Sequence, residues 1–190
     1  MNGTESPDIE PLDVTGQVVR ALTLYALAEH QSGHATTLAL RATGHFFSVS
    51  DNGRGHGIRR TVAGVPYLHY IYSHLDYPFA PAIGGDVQLQ GIGMSLLNSL
   101  CSELRLTVRK PLETLRLTFR AGHLCEERRL PESNRECGNT VEGEVRPELQ
   151  PRPTGEAQIA RWLHRIHRAN PAVELSFNGK PLPMPGNGTA

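Results

Sequence analysis

Apolar and polar positions follow two different spacings along this chain, and these spacings predict its helices and strands. Apolar residues at helical spacing, among them Val18, Leu22 and Ala26, predict a buried first helix, whereas alternation predicts strands. In chain order we predict a helix at 15–31, strands at 35–42 and 45–50, helices at 65–75 and 91–104, strands at 104–109, 114–120 and 139–146, a helix at 154–169 and a strand at 172–177.

Glycine and proline mark the ends of these elements. Ser32-Gly33 should end the first helix, Gly44 should turn the first hairpin, and the Gly- and Pro-containing segment 76–90 should form a long loop. No internal repeat is visible. This order of elements predicts an α+β fold, a two-layer sandwich in which a mixed β-sheet is covered on one face by helices.

The length of 190 residues indicates one domain that can bury a core without disulfides or a metal. We expect a flexible N-terminal arm over residues 1–14, a single domain over 15–180 and a C-terminal tail over 181–190.

The charge balance argues against partners that bind through bulk charge. Lys and Arg together number 19, as do Asp and Glu, and no block of like charge occurs. We therefore expect no direct DNA binding and no membrane association. The three cysteines lack a C-x-x-C spacing and no N-terminal apolar run resembles a signal peptide, so we expect a reduced, cytoplasmic protein.

Metal binding through histidine is not predicted. The nine histidines form no paired ligand motif. His164 and His167, at helical spacing among arginines, are expected to form a solvated helix face.

The segment SVSDNGRGHGI, residues 48–58, carries the first candidate chemistry. It places Asp51 at the end of a short apolar strand, and Gly53 and Gly55 follow, where the absence of a side chain permits close approach of the backbone. An ordinary strand and turn would explain this segment equally well if it stood alone.

A second glycine site, Gly91-x-Gly93, opens a predicted helix further along the chain. The segments VSDNGRG, GIGMSLLNSLCSELRLTVR, ECGNTVEGEV and ANPAVELSF, in this order, resemble the GHKL superfamily of ATP-binding domains. The resemblance is closest to the N-terminal ATP-binding domain of the DNA gyrase B and topoisomerase IV family, and it covers about residues 15–180. We interpret the chain as a degenerate, stand-alone version of that domain.

The resemblance implies an adenine site around the first glycine segment. Asp51 would accept a hydrogen bond from the adenine amino group, and Gly53 and Gly55 would let the backbone close over the purine. Asn139 or Thr140 would hold a water on the adenine side together with Asp51, and the alignment does not choose between them.

The phosphate side of the implied site has fewer of the expected groups. Gly91 and Gly93 would free helix N–H groups to face a phosphate. However, no Lys or Arg occurs from Thr61 to Leu104, an interval where the family carries a lysine. The resemblance thus allows ATP or ADP as ligand and disfavours magnesium.

The family's catalytic pair is absent from the first helix. Its general-base Glu and magnesium-binding Asn align with Ala21 and Tyr25, and a register shifted by two residues gives Thr23 and Leu27. Neither register supplies a base or a suitable metal ligand. We therefore predict no catalytic residue and no metal ligand in this site.

One acidic residue of that helix remains to be explained. Glu29 aligns with a family residue that pairs with the arginine of the Asp-x-Gly-Arg-Gly segment, here Arg54. We therefore predict that Glu29 and Arg54 form a bidentate ion pair at the entrance of the pocket. Two unrelated surface charges are the alternative.

Three functions fit the sequence. The first is a nucleotide-binding module that holds the adenine part of ATP or ADP with little or no hydrolysis. The second is an active ATPase of a type II topoisomerase-like system, whose base comes from Glu29 or from another protein chain. The third is a nucleotide-free interaction scaffold in which the glycines serve turn geometry alone.

Overall fold

A computed structural model describes residues 12–74, 93–131 and 136–183 of the chain. Its elements in chain order are α1 (Val14–Gln31), β1 (Thr37–Thr43), β2 (Phe46–Asp51), β3 (Thr61–Val62), β4 (Val65–Pro66), α2 (Tyr67–Ser73), α3 (Met94–Ser99), β5 (Cys101–Arg109), β6 (Glu113–Arg120), β7 (His123–Pro131), β8 (Gly138–Val145), α4 (Glu156–Ala169), β9 (Glu174–Phe177) and β10 (Lys180–Pro181).

Eight of these strands form one sheet in the order β10-β9-β1-β2-β8-β5-β6-β7, and β3 and β4 form a separate two-stranded ribbon. Strand β1 pairs in parallel with β9, whereas the other neighbours in the large sheet pair antiparallel. The sheet is therefore mixed, which confirms the α+β fold class predicted from the sequence.

The helices cover one face of the sheet, as the burial of β6 illustrates. Leu115, Leu117 and Phe119 are buried, whereas Arg116 and Arg120 between and beyond them are exposed. This alternation is that of a strand with one face on the core and the other in water.

Helix α1 begins where the Asp13 carboxylate accepts a hydrogen bond from the Gly16 N–H at 2.7 Å, which satisfies a free donor of the first turn. The same carboxylate accepts from Gly155 N–H at 2.9 Å, so it also joins the start of α1 to the start of α4. The helix ends at Gln31, immediately before Ser32, as predicted.

The helix predicted over 91–104 is wrong in its extent. Helix α3 covers only Met94–Ser99, and Cys101 already begins strand β5. Met94, Leu97 and Cys101 have helical spacing, but the chain from Cys101 onward pairs with β6 and β8 on its two sides. Pairing with two neighbouring strands overrides the local helical pattern.

Strand β7 was missed because it carries almost no apolar pattern. It lies at the edge of the sheet, and its residues from Glu126 to Arg129 are exposed. Charged side chains are common on edge strands because they oppose pairing with another chain. Strand β10, a two-residue return after Asn178-Gly179, was also missed.

The interpretation of His167 as part of a solvated face is wrong. Its side chain is buried, and its Nε2 lies 3.1 Å from the carbonyl oxygen of Val173. It joins the end of α4 to the start of β9, a contact that helical spacing alone does not reveal.

The loop predicted over 76–90 lies outside the described residues, as do residues 1–11 of the predicted arm and 184–190 of the predicted tail. Among the described helices, none combines the length and the apolar character that crossing a membrane requires.

Candidate functional site

A cavity of about 250 Å³ lies between α1 and the sheet. Its apolar walls come from α1, α3 and two adjacent strands, and the contributing side chains are Leu22, Ala26, Val49, Met94 and Val141. Polar groups line the rest of the cavity, and they belong to Tyr25, Glu29, Asp51, His56 and Asn139. A largely apolar cavity with a few convergent polar groups is the usual form of a small-molecule site.

Asp51 lies at the end of β2 with only 7% of its surface exposed. Its Oδ1 accepts from the Gly53 N–H at 2.8 Å, and its Oδ2 accepts from Asn139 Nδ2 at 3.2 Å. These two donors fix the carboxylate at the cavity wall. Each carboxylate oxygen has a second lone pair, so the group can still accept a hydrogen bond from a ligand.

Gly53 and Gly55 allow the chain to pass close to this carboxylate. A Cβ on Gly53 would lie 2.9 Å from Asp51 Oδ1 and 3.2 Å from Glu29 Cβ. Gly55 has a φ of +69°, and a Cβ there would lie 2.9 Å from the Arg109 carbonyl oxygen. At Gly55 the positive φ and the backbone contact both disfavour a larger residue, whereas at Gly53 a Cβ would have to displace the Asp51 carboxylate.

A third glycine beside the site was missed by sequence reasoning. Gly138 begins β8 with a φ of +135°, and a Cβ there would overlap the Asp51 carbonyl oxygen. The signal for it was its place immediately before Asn139 in the segment ECGNTVEGEV. It brings the start of β8 against the end of β2 and so places Asn139 next to Asp51.

The structure distinguishes Asn139 from Thr140. Asn139 lines the cavity, donates to Asp51, and accepts from the His56 N–H at 2.9 Å. Thr140 Oγ1 lies 2.9 Å from Ser50 Oγ and accepts from Arg109 Nη1 at 2.9 Å. Successive side chains on a strand point to opposite faces, so Thr140 faces away from the cavity.

Glu29 and Arg54 form a bidentate ion pair at the cavity mouth. Arg54 Nη2 donates to Oε1 at 2.8 Å and Arg54 Nε donates to Oε2 at 3.1 Å. The hydrogen bond from Arg54 lowers the pKa of Glu29 below its ordinary value. Glu29 is thus an anion engaged with a cation, which makes it a weak acceptor for a substrate proton.

The two registers of α1 that were considered for the family's catalytic pair lie differently relative to the cavity. Tyr25, four residues before Glu29, lines the cavity, whereas Thr23 and Leu27 of the alternative register are buried in the core. Ala21 is also buried, four residues before Tyr25. Burial raises the pKa of Tyr25, so its phenol stays neutral.

His56 and Met94 were not expected in the site. His56 lines the cavity, and burial lowers its pKa, so the imidazole is neutral near pH 7. The position of His56 immediately after Gly55 was the available signal. Met94 directly follows Gly93, and this position at the start of a helix predicted to border the site was the available signal.

The expected phosphate side is described only in part. Gly93 is the N-cap residue of α3, and Gly91 lies outside the described residues. Helix α3 has six residues, so its dipole is small. Lys110 lies near the cavity, but its Nζ donates to the carbonyl oxygens of Arg54 and Gly55 at 2.7 and 2.8 Å.

Within residues 12–74, 93–131 and 136–183, no group of three or more His, Cys, Asp or Glu side chains is placed to hold a metal ion.

Comparison with known proteins gives a fold-level match. No family model and no curated protein matches the sequence. Among solved structures, the chain is similar to the crystal structure of the 43K ATPase domain of Thermus thermophilus gyrase B in complex with an aminocoumarin. The TM-score is 0.74 at 23% identity, over 87% of this chain and 44% of that chain. The chain thus shares the fold of that gyrase B ATPase domain and spans less than half the length of that gyrase chain.

Proposed function

We propose that this chain is a gyrase-B-like nucleotide-binding module of the GHKL type that holds the adenine part of ATP or ADP with little or no hydrolysis. The observation that carries the proposal is the Asp51 carboxylate, held by Gly53 and Asn139 at the wall of a largely apolar cavity. The fold shared with a gyrase B ATPase domain supports the same assignment.

The chemistry of the cavity suits a flat heterocycle that carries an amino group. Leu22, Val49 and Val141 offer apolar surface to the faces of a ring. Asp51 offers an acceptor for the exocyclic N–H, and a buried site built around such an acceptor discriminates against ligands that lack the donor.

Little or no hydrolysis follows from the α1 side of the cavity. A general base must lie within hydrogen-bond reach of the attacking water, and Ala21 offers no such group. Tyr25 offers a neutral phenol, whereas magnesium prefers carboxylate and carbonyl oxygens. Glu29, the remaining acidic residue on this face, is paired with Arg54.

A calorimetric titration with ADP, with and without magnesium, tests the proposal. We expect saturable binding that magnesium changes little and that an aminocoumarin competes away. Because the gyrase domain of the same fold was crystallised with an aminocoumarin, that compound is the natural competitor. Absence of ADP binding under both conditions would instead favour the nucleotide-free scaffold.

A further inference from the structure

We infer that His56 contacts the ligand of this cavity, and that its imidazole N–H donates a hydrogen bond to a ring nitrogen of the adenine base. With Asp51, His56 would then determine which heterocycle binds. The inference rests on the proposed adenine site and goes beyond it, because it assigns a second polar contact to the base.

The imidazole of His56 is a polar group of the cavity wall without a protein partner. The residue is partly buried and lines the cavity, and in the part of the chain that the structure describes neither of its ring nitrogens forms a hydrogen bond. Its neighbours are engaged, since Glu29 pairs with Arg54 and the Asn139 amide bonds the His56 N–H and Asp51. Polar groups inside a protein are normally hydrogen-bonded, so this imidazole indicates a partner that occupies the cavity.

The backbone holds His56 in a fixed position beside Asp51. The peptide group between Gly55 and His56 is bonded at both ends, because its carbonyl oxygen accepts from Lys110 Nζ at 2.8 Å and its N–H donates to Asn139 Oδ1 at 2.9 Å. Asn139 in turn donates to Asp51 Oδ2 at 3.2 Å. This arrangement reduces the freedom that is lost when one ligand engages both His56 and Asp51.

The imidazole is neutral near pH 7. Burial lowers its pKa, and this effect outweighs the acidic groups Asp51 and Glu29, which raise the pKa, while Lys110 lowers it further. A neutral imidazole carries one N–H donor and one acceptor nitrogen. It can therefore line a largely apolar cavity and donate a hydrogen bond there without the cost of burying a charge.

Adenine presents the groups that this pair of residues requires. In adenosine the amino group is the hydrogen-bond donor of the base, and the other polar atoms of the base edges are ring nitrogens that accept. When the amino group donates to Asp51, a ring nitrogen remains as the partner of the His56 N–H.

The test is a double-mutant cycle between protein and ligand, measured by calorimetry on the full chain. Adenosine and its three deaza analogues, in each of which a C–H group replaces one ring acceptor, are titrated into the parent, His56→Leu and His69→Leu. We expect one analogue to bind the parent at least about fivefold more weakly than adenosine does. His56→Leu should bind that analogue and adenosine equally, because the interaction between the two partners is then already lost. His69→Leu is the control and should behave as the parent, since His69 pairs with Glu127 and does not line the cavity.

Two further measurements separate a ligand contact from a structural role. His56→Leu keeps the backbone N–H that bonds Asn139, so urea unfolding should show a folded domain. His56→Gln keeps a side-chain N–H donor and should restore part of the discrimination against the same analogue. In the parent, the nitrogen NMR resonances of the His56 imidazole should shift when adenosine binds.

The outcomes distinguish this inference from the proposed function. Adenosine binding in which no deaza analogue is coupled to His56, or in which the imidazole resonances stay unchanged at saturation, would overturn the inference and leave the adenine site standing. No binding of adenosine by the parent would overturn the proposed function as well.

Discussion

The carboxylate of Glu29 accepts two hydrogen bonds from the guanidinium of Arg54, at 2.8 and 3.1 Å, and so joins α1 to the turn that follows β2. Glu29 lies on the face of α1 that lines the cavity. Counting back along the helix from Glu29 reaches Tyr25 on the cavity wall and Ala21 one turn earlier. The family resemblance aligns these two positions with the metal ligand and the base, and here they hold a tyrosine and an alanine.

Hydrolysis of ATP should be absent or extremely slow for this reason. Loss of general-base assistance alone typically costs ~10²–10⁴ in rate. A coupled assay for phosphate release with and without magnesium measures this directly. Glu29→Gln should not lower the background rate, because its carboxylate is held by Arg54.

Two outcomes would contradict this view of α1. Magnesium-dependent turnover at the rate of an ordinary gyrase-type ATPase would show that a base comes from elsewhere. Turnover abolished by Glu29→Gln would identify that base as Glu29.

Asn139→Ala should weaken adenine binding and destabilise the fold. The substitution leaves the His56 N–H without its acceptor and removes one donor from Asp51, and a buried group left unpaired costs about 1–3 kcal/mol. Thr140→Val is the control, since Thr140 bonds Ser50 and Arg109 on the other face. Dissociation constants and urea unfolding of both variants check this, and loss of binding in Thr140→Val alone would reverse the assignment.

Gly55→Ala should be more destabilising than Gly44→Ala. Both glycines have positive φ, +69° and +64°, so both substitutions carry the cost of a left-handed residue, about 1–2 kcal/mol. A Cβ on Gly55 also meets the Arg109 carbonyl oxygen at 2.9 Å, whereas nothing lies within 4 Å of one on Gly44. Chemical denaturation of the two variants measures the additional loss in free energy of unfolding that the clash causes. Equal losses in the two variants would argue against the close approach at Gly55.

Stability should fall in mild acid because of His56. Burial lowers its pKa below the ordinary value of 6.5, so at pH values under 6.5 the unfolded chain binds more protons than the folded one. The free energy of unfolding therefore decreases as pH falls from about 7.5 to about 5.5. His56→Gln should show a smaller decrease over this interval, and an identical slope would show that other groups cause it.

Much of the fold could be predicted from local patterns. Helix α1 and strands β1, β2 and β8 have the alternation or helical spacing that burial on one side produces, and Ser32 and Gly44 mark the ends of their elements. What local patterns missed depends on tertiary contacts. Strand β5 begins at Cys101 because two neighbours pair with it, and the exposed strand β7 has no apolar face to detect.

The residues of the candidate site also divide into those with a local sequence signal and those that depend on tertiary contacts. Asp51 and its glycines have a sequence signal because they are adjacent in the chain, and Glu29 was linked to Arg54 through the family resemblance. That Asn139 and not Thr140 lines the cavity depends on the pairing of β2 with β8, since a shift of one residue moves a side chain to the other face. Met94 reaches the cavity only through the packing of α3.

The central claim is that the Asp51 carboxylate reads an amino group on the ligand. Its most direct test is calorimetric titration with adenosine and, separately, with inosine. Each ligand is titrated into the parent chain, into the Asp51→Asn variant and into the control variant Ser48→Ala. Asparagine keeps the shape but has one acceptor oxygen in place of two, and the Gly53 N–H and the Asn139 amide already require acceptors there. Ser48 lies on the opposite face of the same strand. We predict that the parent chain and Ser48→Ala bind adenosine but not inosine. In Asp51→Asn the free energy of adenosine binding should be weaker by about 1–3 kcal/mol or more. Equal binding of adenosine by the parent and Asp51→Asn would contradict the account.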